Sequence, residues 1–412
     1  MAAPNDDAER DRRTALGVLA LCFVLNMLGR GIGDTYTVFL LPLQQEFGWA
    51  RAQLTSVYSV YLVVGACVAP LVGQVFDRIG PRWVYGAGLA GVASAFFLAA
   101  SMAHPWQFYV LIGVQIGIGV AMTGMVPASA LLARWYRARL SVALGVAFSA
   151  VGVGAIIFVP LTQWLVQSYD WRTAYRVLGG ALLGMLPLLL LALPWRRIAA
   201  GHSGYRAERD RHAQGGGSTL SGALRTRIFW GMAAAFFCTA AGMFTIIVQL
   251  IAFLIDAGFS PLAAAGAYGA LGMLSAASVM SSGFLCERFG YRQTISASFV
   301  GSAAGMALML GIVARPSVAL LGGFVAVFGL CMGLRGPIIS TICARRFAGP
   351  RVASIYGMLF ATNALGAAFG SLMGGVLHDL SGGYVAGIGF ALAFIGLASL
   401  PFWTVKELRE FR

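Results

Sequence analysis

Apolar runs of twenty or more residues follow one another along this chain, separated by short polar stretches. A bilayer core is ~30 Å thick and about 20 residues of helix cross it, so each run predicts one membrane-spanning helix. Twelve spans are expected, at roughly 14–42, 52–76, 83–103, 106–133, 141–167, 173–195, 226–256, 262–285, 293–313, 317–344, 351–377 and 384–404. A transmembrane β-barrel would show short segments alternating apolar and polar positions instead. The expected fold is an all-α polytopic membrane protein.

The polar stretches repeat. "GQVFDRIGPR" (73–82) and "GFLCERFGYR" (283–292) share one register, so Gly73, Asp77, Arg78, Gly80 and Arg82 match Gly283, Glu287, Arg288, Gly290 and Arg292. Each stretch follows the second span of its half. The connections after the fourth and tenth spans also correspond: "RARLSVALGV" (137–146) aligns with "GPRVASIYGM" (349–358), Arg139 on Arg351 and Gly145 on Gly357. Two pseudo-symmetric six-helix bundles in the same orientation are expected, over 1–195 and 226–412. The polar segment 196–225, with "QGGGS" at 214–218, joins them. Gly80 and Gly290 permit tight turns. The acid beside each can pair with an arginine or a helix N-terminus across the seam between the bundles, which would make these ten residues gating loops.

Composition narrows the function. Hydrophobic residues make up 59% of the 412 and charged residues 11%, far from the quarter charged of a soluble domain. The net charge of +14 is topological. With the amino terminus inside, most Lys+Arg fall in cytoplasmic segments, as membrane insertion favours, and a nucleic-acid partner is not expected. Lys406 is the single lysine, which with the abundant alanine and glycine suggests a GC-rich bacterial genome and hence a bacterial inner membrane, both termini cytoplasmic. The mixed-charge "MAAPNDDAERDRR" and the long first run do not read as a cleaved signal. Six cysteines lie in or beside spans without CxxC or metal spacing. No GxxxxGK[ST] loop, hydrolase elbow or metal cluster is visible, so neither a cofactor, a metal site nor an enzyme is expected.

The Gly-x-x-x-Asp-Arg-x-Gly-x-Arg pattern after span 2 resembles the signature loop of the major facilitator superfamily, over nearly the whole chain. "VFLLPLQQEFGWARAQLTSVYSVYL" (38–62) and "RWYRARLSVALGVAFSAVGVGAIIFVPLTQWLVQSYDWRTAYRVLG" (134–179) are similar to its bacterial monocarboxylate-transporter and oxalate–formate-antiporter-like branch. That resemblance implies carboxylate substrates, proton symport or anion exchange, and spans 1, 4, 7 and 10 lining a central cavity. Departures are visible. Span 8 carries no charge where animal members have an Asp/Arg pair, Asp34 stands where they have a basic residue, and Gln115 stands near the place of the superfamily's span-4 arginine.

Two charges inside spans need a reason. Arg30 lies about 16 residues into span 1, ~24 Å along at 1.5 Å per residue, and Arg335 a similar distance into span 10. A charge at the bilayer centre costs about 3 kcal/mol even on the mildest scale. A guanidinium matches a carboxylate with two parallel hydrogen bonds, so one arginine per half makes a clamp for an anion. The alternatives are that Arg30 pairs with Asp34 one turn away and that Arg335 caps carbonyls near Pro337. Asp34 is the candidate for proton coupling, because an anion taking Arg30 would leave it without a counter-charge.

Softer cavity candidates are Tyr36, Tyr58, Tyr61, Gln115, Thr123, Gln249 and Asn363, any of which can instead bond helix to helix. His378 and Asp379 read as loop residues, and Met122 and Met125 as packing. Gly145, Gly152 and Gly154, followed by Pro160, predict a close approach of spans 5 and 8. The expectation is a proton-coupled transporter of small mono- or dicarboxylates, working as a monomer among membrane lipids by alternating access. An anion exchanger or drug-efflux antiporter of the same fold, and a non-transporting membrane sensor, stand as rivals.

Overall fold

The computed structural model describes residues 4–136, 140–201, 220–347 and 352–409, and among them all regular structure is helical. Arg139, Arg351 and "QGGGS" (214–218) lie outside the described residues, as does the side chain of Asp77. Twelve helices or helix pairs are long and apolar enough to cross a membrane. They are span 1 Asp11–Phe47, span 2 Arg51–Phe76, span 3 Pro81–Ala99, span 4 Pro105–Ala133, span 5 Val142–Ser168 and span 6 Trp171–Ala192. Then come span 7 Arg227–Asp256, span 8 Pro261–Phe289, span 9 Tyr291–Ala314, span 10 Val318–Cys343, span 11 Ile355–Ser381 and span 12 Val385–Thr404. The protein is a multi-pass membrane protein with the expected spans, each displaced by a few residues at most.

Local chemistry sets the ends. The Asp170 carboxylate accepts from the Thr173 backbone N–H at the start of span 6, which holds that carboxyl below its ordinary range. Ser260 does the same for span 8, accepting from Ala263 at 3.3 Å. Gly80 and Gly290 both stand at φ +83°, where a Cβ is disfavoured, and each reverses the chain between two spans. His378 and Asp379 correct the loop reading. They close the helix Val352–Ser381, which continues until Gly382 at φ +66° stops it.

Since the spans alternate, loops fall at two faces. The terminal face carries both chain ends and the loops after even-numbered spans; the opposite face carries the loops after odd-numbered ones. Within the first six spans, 1 packs on 5 and 3 on 6; within the last six, 7 packs on 11 and 12, and 9 on 10. Two extensive packings join the sets, span 5 on span 8 and span 2 on span 11, and Tyr36–Phe47 of span 1 also meets Leu250–Asp256 of span 7. A Cβ on Gly152 would stand 2.4 Å from the Gly272 carbonyl oxygen, and one on Gly269 2.6 Å from the Ile156 Cα. Spans 5 and 8 therefore meet backbone to backbone, as expected, but of the three named glycines only Gly152 is in that seam. Gly154 faces span 1, where a Cβ would lie 2.7 Å from the Met27 carbonyl oxygen, and Gly145 meets nothing.

Candidate functional site

Spans 1, 4, 7 and 10 are all interrupted. Span 1 breaks between Pro4–Gly33 and Tyr36–Phe47, and span 4 at Gly124 between Ile116–Thr123 and Met125–Ala133. Span 7 breaks between Arg227–Ile247 and Leu250–Asp256, and span 10 between Val318–Met332 and Arg335–Arg346. Broken helices inside a bilayer free backbone groups that only protein or a polar cavity can satisfy, and transporters place their sites at such breaks. Asp34, Gln249 and Arg335 each stand at one. Glycines mark three of the breaks, Gly33 just before one in "GRGIGDT" and Gly124 and Gly333 within the others in "MTGMVP" and "CMGLRGP".

Arg30 and Asp34 form an ion pair at 3.3 Å between Nε and Oδ1, helped by the helical hydrogen bond from Asp34 N to Arg30 O. The Tyr58 hydroxyl donates to the same Oδ1 at 3.1 Å. Asp34 Oδ2 has no hydrogen-bond partner among the described residues. The Arg30 guanidinium carbon lies 5.8 Å from the Tyr61 ring centre, and about a third of its side chain, 31%, is exposed. Tyr61 is buried and its hydroxyl proton has no acceptor among the described residues. Tyr268, on span 8, is within electrostatic reach of Arg30, Asp34 and Tyr61, and its hydroxyl makes no hydrogen bond among the described residues. Tyr61 thus offers an unused donor beside the Arg30–Asp34 pair, and Tyr268, from the other set of six spans, lies within electrostatic reach of it. Sequence reasoning missed Tyr268; the small-residue run "GAYGALG" around it, which packs span 8 on span 5, was the available signal.

Arg335 is placed differently. Its side chain is 1% exposed, and all three nitrogens are engaged. Nε donates to Ser298 Oγ at 2.8 Å, one terminal nitrogen to the Ser298 carbonyl at 2.8 Å and to Ser302 Oγ, and the other to the Met243 sulfur at 3.3 Å. The Phe299 ring lies 4.5 Å away. No acid shares the pocket among the described residues. Arg335 therefore turns onto spans 7 and 9, and shares no partner with Arg30. It does not cap carbonyls near Pro337 either.

The remaining candidates divide. Tyr36 donates to the Leu54 carbonyl at 2.6 Å and stacks on Tyr58. Residues Tyr109–Gln115 wind as a π-helix, and Gln115 donates to Gly91 O at 3.1 Å and Ser94 Oγ at 2.9 Å, a helix–helix contact with span 3. Thr123 is fully buried and bonds its own helix at Gly119 O. Asn363 reaches the Phe236 carbonyl at 3.5 Å. Gln249 lines a small cavity with Thr245, His378 and Tyr384, its Oε1 unpaired among the described residues. Met122 packs on Gly88, and Met125 is exposed.

At the terminal face, Arg78, Glu287 and Arg288 are exposed and form no ion pair among the described residues. Arg82 lies over Trp83 and Arg292 over Trp403, at 5.4 and 3.9 Å. Around Gly73 and Gly283 there is room.

Comparison with known proteins agrees with this architecture. Residues 19–286 match the sequence model of the Major Facilitator Superfamily. Monocarboxylate transporter 13 of Rattus norvegicus is 26% identical over 380 residues, covering 92% of this chain and 86% of that protein. The MFS-type transporter YcxA of Bacillus subtilis (strain 168) is 22% identical over 417 residues, covering 95% and 96%. The crystal structure of a mutant of the nucleoside transporter NupG superposes with a TM-score of 0.71 at 16% identity, over 95% of this chain and 98% of that one. That last likeness concerns the fold alone.

Proposed function

The chain belongs to the major facilitator superfamily, and from that premise we propose that it carries a small organic anion with Arg30 as the contacting cation. The supporting observation is the set of unused donors at one place. The Tyr61 and Tyr268 hydroxyls have no acceptor among the described residues, and the Arg30 side chain beside them is about a third exposed, at 31%. Donors converging without an acceptor fit a carboxylate. The sequence relation to a monocarboxylate transporter points the same way.

Proton coupling follows from the second oxygen of Asp34. When a carboxylate takes Arg30, Asp34 loses its counter-charge inside a low-dielectric site. A proton arriving at Oδ2 then removes the charge that burial disfavours. Anion and proton travel together, so the step is electroneutral. Arg335 adds its charge from behind the wall and touches the cargo only if it exchanges Ser298 and Ser302 for it. The site opens alternately to the two faces by motion of residues 1–195 against 226–412, as a monomer in a bacterial inner membrane with both termini cytoplasmic. If Asp34 keeps its ion pair throughout the cycle, the same site exchanges anions without protons.

The test is uptake into proteoliposomes at inside and outside pH set independently. An inward proton gradient drives accumulation of the cargo in the parent protein. Accumulation that ignores the gradient, with exchange intact, assigns the exchanger instead.

A further inference from the structure

At the opposite face the two sets of six spans are tied by one closed triangle of side chains. Arg51, the first residue of span 2, donates to Asp256 Oδ2 at 2.7 Å across to the end of span 7. Its other terminal nitrogen donates to the Tyr384 hydroxyl, just before span 12, and that hydroxyl donates to the same Asp256 oxygen at 2.5 Å. Nε is held by Gln44 at 2.9 Å. Every nitrogen of Arg51 is engaged, and its side chain is 6% exposed.

A second tie lies one residue on. The Ala52 backbone N–H donates to Asp379 Oδ2 at 2.8 Å, from span 2 to the end of span 11. Span 8 caps its own first turn with Ser260; span 2 has Ala50 at that position and no capping side chain of its own. It borrows the cap from the other half. Behind these contacts spans 2 and 11 close tightly. Ser371 donates to the Thr55 carbonyl at 3.0 Å and Ser59 to the Ala368 carbonyl at 2.8 Å. A Cβ on Gly375 would stand 2.8 Å from the Ala52 Cα.

At the terminal face Arg78, Glu287 and Arg288 are exposed and make no such tie among the described residues. The buried cluster of residues 18–198 at that end is separate from the one that holds Phe229, Phe347 and Phe402. We propose that the Arg51–Asp256–Tyr384 triangle, with Asp379 capping span 2, is the latch that shuts the opposite face in the state seen here, and that its rupture opens the site to that face. The latch shares no residue with the Arg30 cluster, so it stands or falls without reference to the cargo.

Thr55 is fully buried in the seam beneath the latch and serves as a reporter when changed to cysteine, in a background with the exposed Cys67 replaced by serine. The rate of modification of Thr55→Cys by a polar thiol reagent reads the open population in the detergent-purified protein. Asp256→Ala should raise that rate at least tenfold, and Tyr384→Phe, which keeps the ring over Arg51, about threefold. The charge-swapped pair Arg51→Asp with Asp256→Arg should return it to within a few-fold of the parent, well below Arg51→Asp alone. Independently, Arg51→Cys with Asp256→Cys, bridged by a bifunctional thiol reagent, should stop transport and release it again on reduction. Modification that does not change in Asp256→Ala and Tyr384→Phe, or a bridged protein that still transports, overturns the latch.

Discussion

Arg30 and Arg335 stand beside helix breaks in the first and last six spans, and their surroundings differ in kind. Arg30 meets a carboxylate at 3.3 Å and keeps a third of its side chain exposed. Arg335 meets two serine hydroxyls, a carbonyl and a thioether, with 1% exposed. A cation paired with an acid can exchange that acid for a ligand anion and keep one counter-charge, provided the displaced acid takes up a proton, as proposed for Asp34. A cation solvated by dipoles cannot leave them so readily, since each loses its partner in a medium where an unpaired polar group costs about 1–3 kcal/mol. The first arrangement suits a binding residue. The second suits a fixed charge that holds span 9 to the broken span 10 and biases the cavity towards anions.

The largest break in that comparison should come from Arg30→Ala. Uptake is expected to fall on the order of 100-fold, as when one member of a buried charge contact is removed, measured as initial rates in proteoliposomes. Adding Asp34→Asn to it should recover thermal stability without recovering transport. Asp34→Asn alone should cut gradient-driven uptake about tenfold and flatten its pH profile. The parent is expected to work faster as pH falls, because the proton is a co-substrate, while exchange of bound cargo survives in the variant.

Arg335 sharpens the contrast from the other side. Arg335→Met removes the buried charge but leaves Ser298 and Ser302 without their partner, so it should melt below the parent while uptake drops roughly tenfold. Arg335→Lys should melt lower than Arg335→Met, since an ammonium stays charged yet cannot reach three separate acceptors. Tyr268→Phe should weaken apparent affinity about three- to tenfold, the range of one ordinary hydrogen bond. Gln115→Leu, whose amide serves span 3, should change transport less than twofold.

Much of this was legible in the chain. The spans follow from the apolar runs, and the two turns at Gly80 and Gly290 from the repeated charged stretch. The Arg30–Asp34 pair follows from a four-residue spacing on one helix. What escaped depends on how separate helices rotate against each other. Ser298 and Ser302 are unremarkable on span 9 until Arg335 is turned towards them, and nothing local to either segment fixes that rotation. Tyr268 enters the Arg30 cluster only because Gly152, Gly269 and Gly272 bring spans 5 and 8 together. Asp379 looked like a loop acid, since its helix runs on to Gly382 and its partner, the Ala52 amide, is more than 300 residues away. The interruptions of spans 4 and 10 were visible as glycines, whereas that of span 7, at Val248–Gln249, has no such mark.

The central claim is that Arg30 touches the cargo and Arg335 does not. It is tested most directly by thermal stabilisation of the purified protein with a panel of mono-, di- and aromatic carboxylates at pH 5.5 and 7.5, in the parent, Arg30→Ala and Arg335→Met. A bound ligand raises stability by mass action. The account predicts a selective shift, larger at the lower pH, absent from Arg30→Ala and present with a higher midpoint concentration in Arg335→Met. A shift that persists in Arg30→Ala and disappears in Arg335→Met would contradict it.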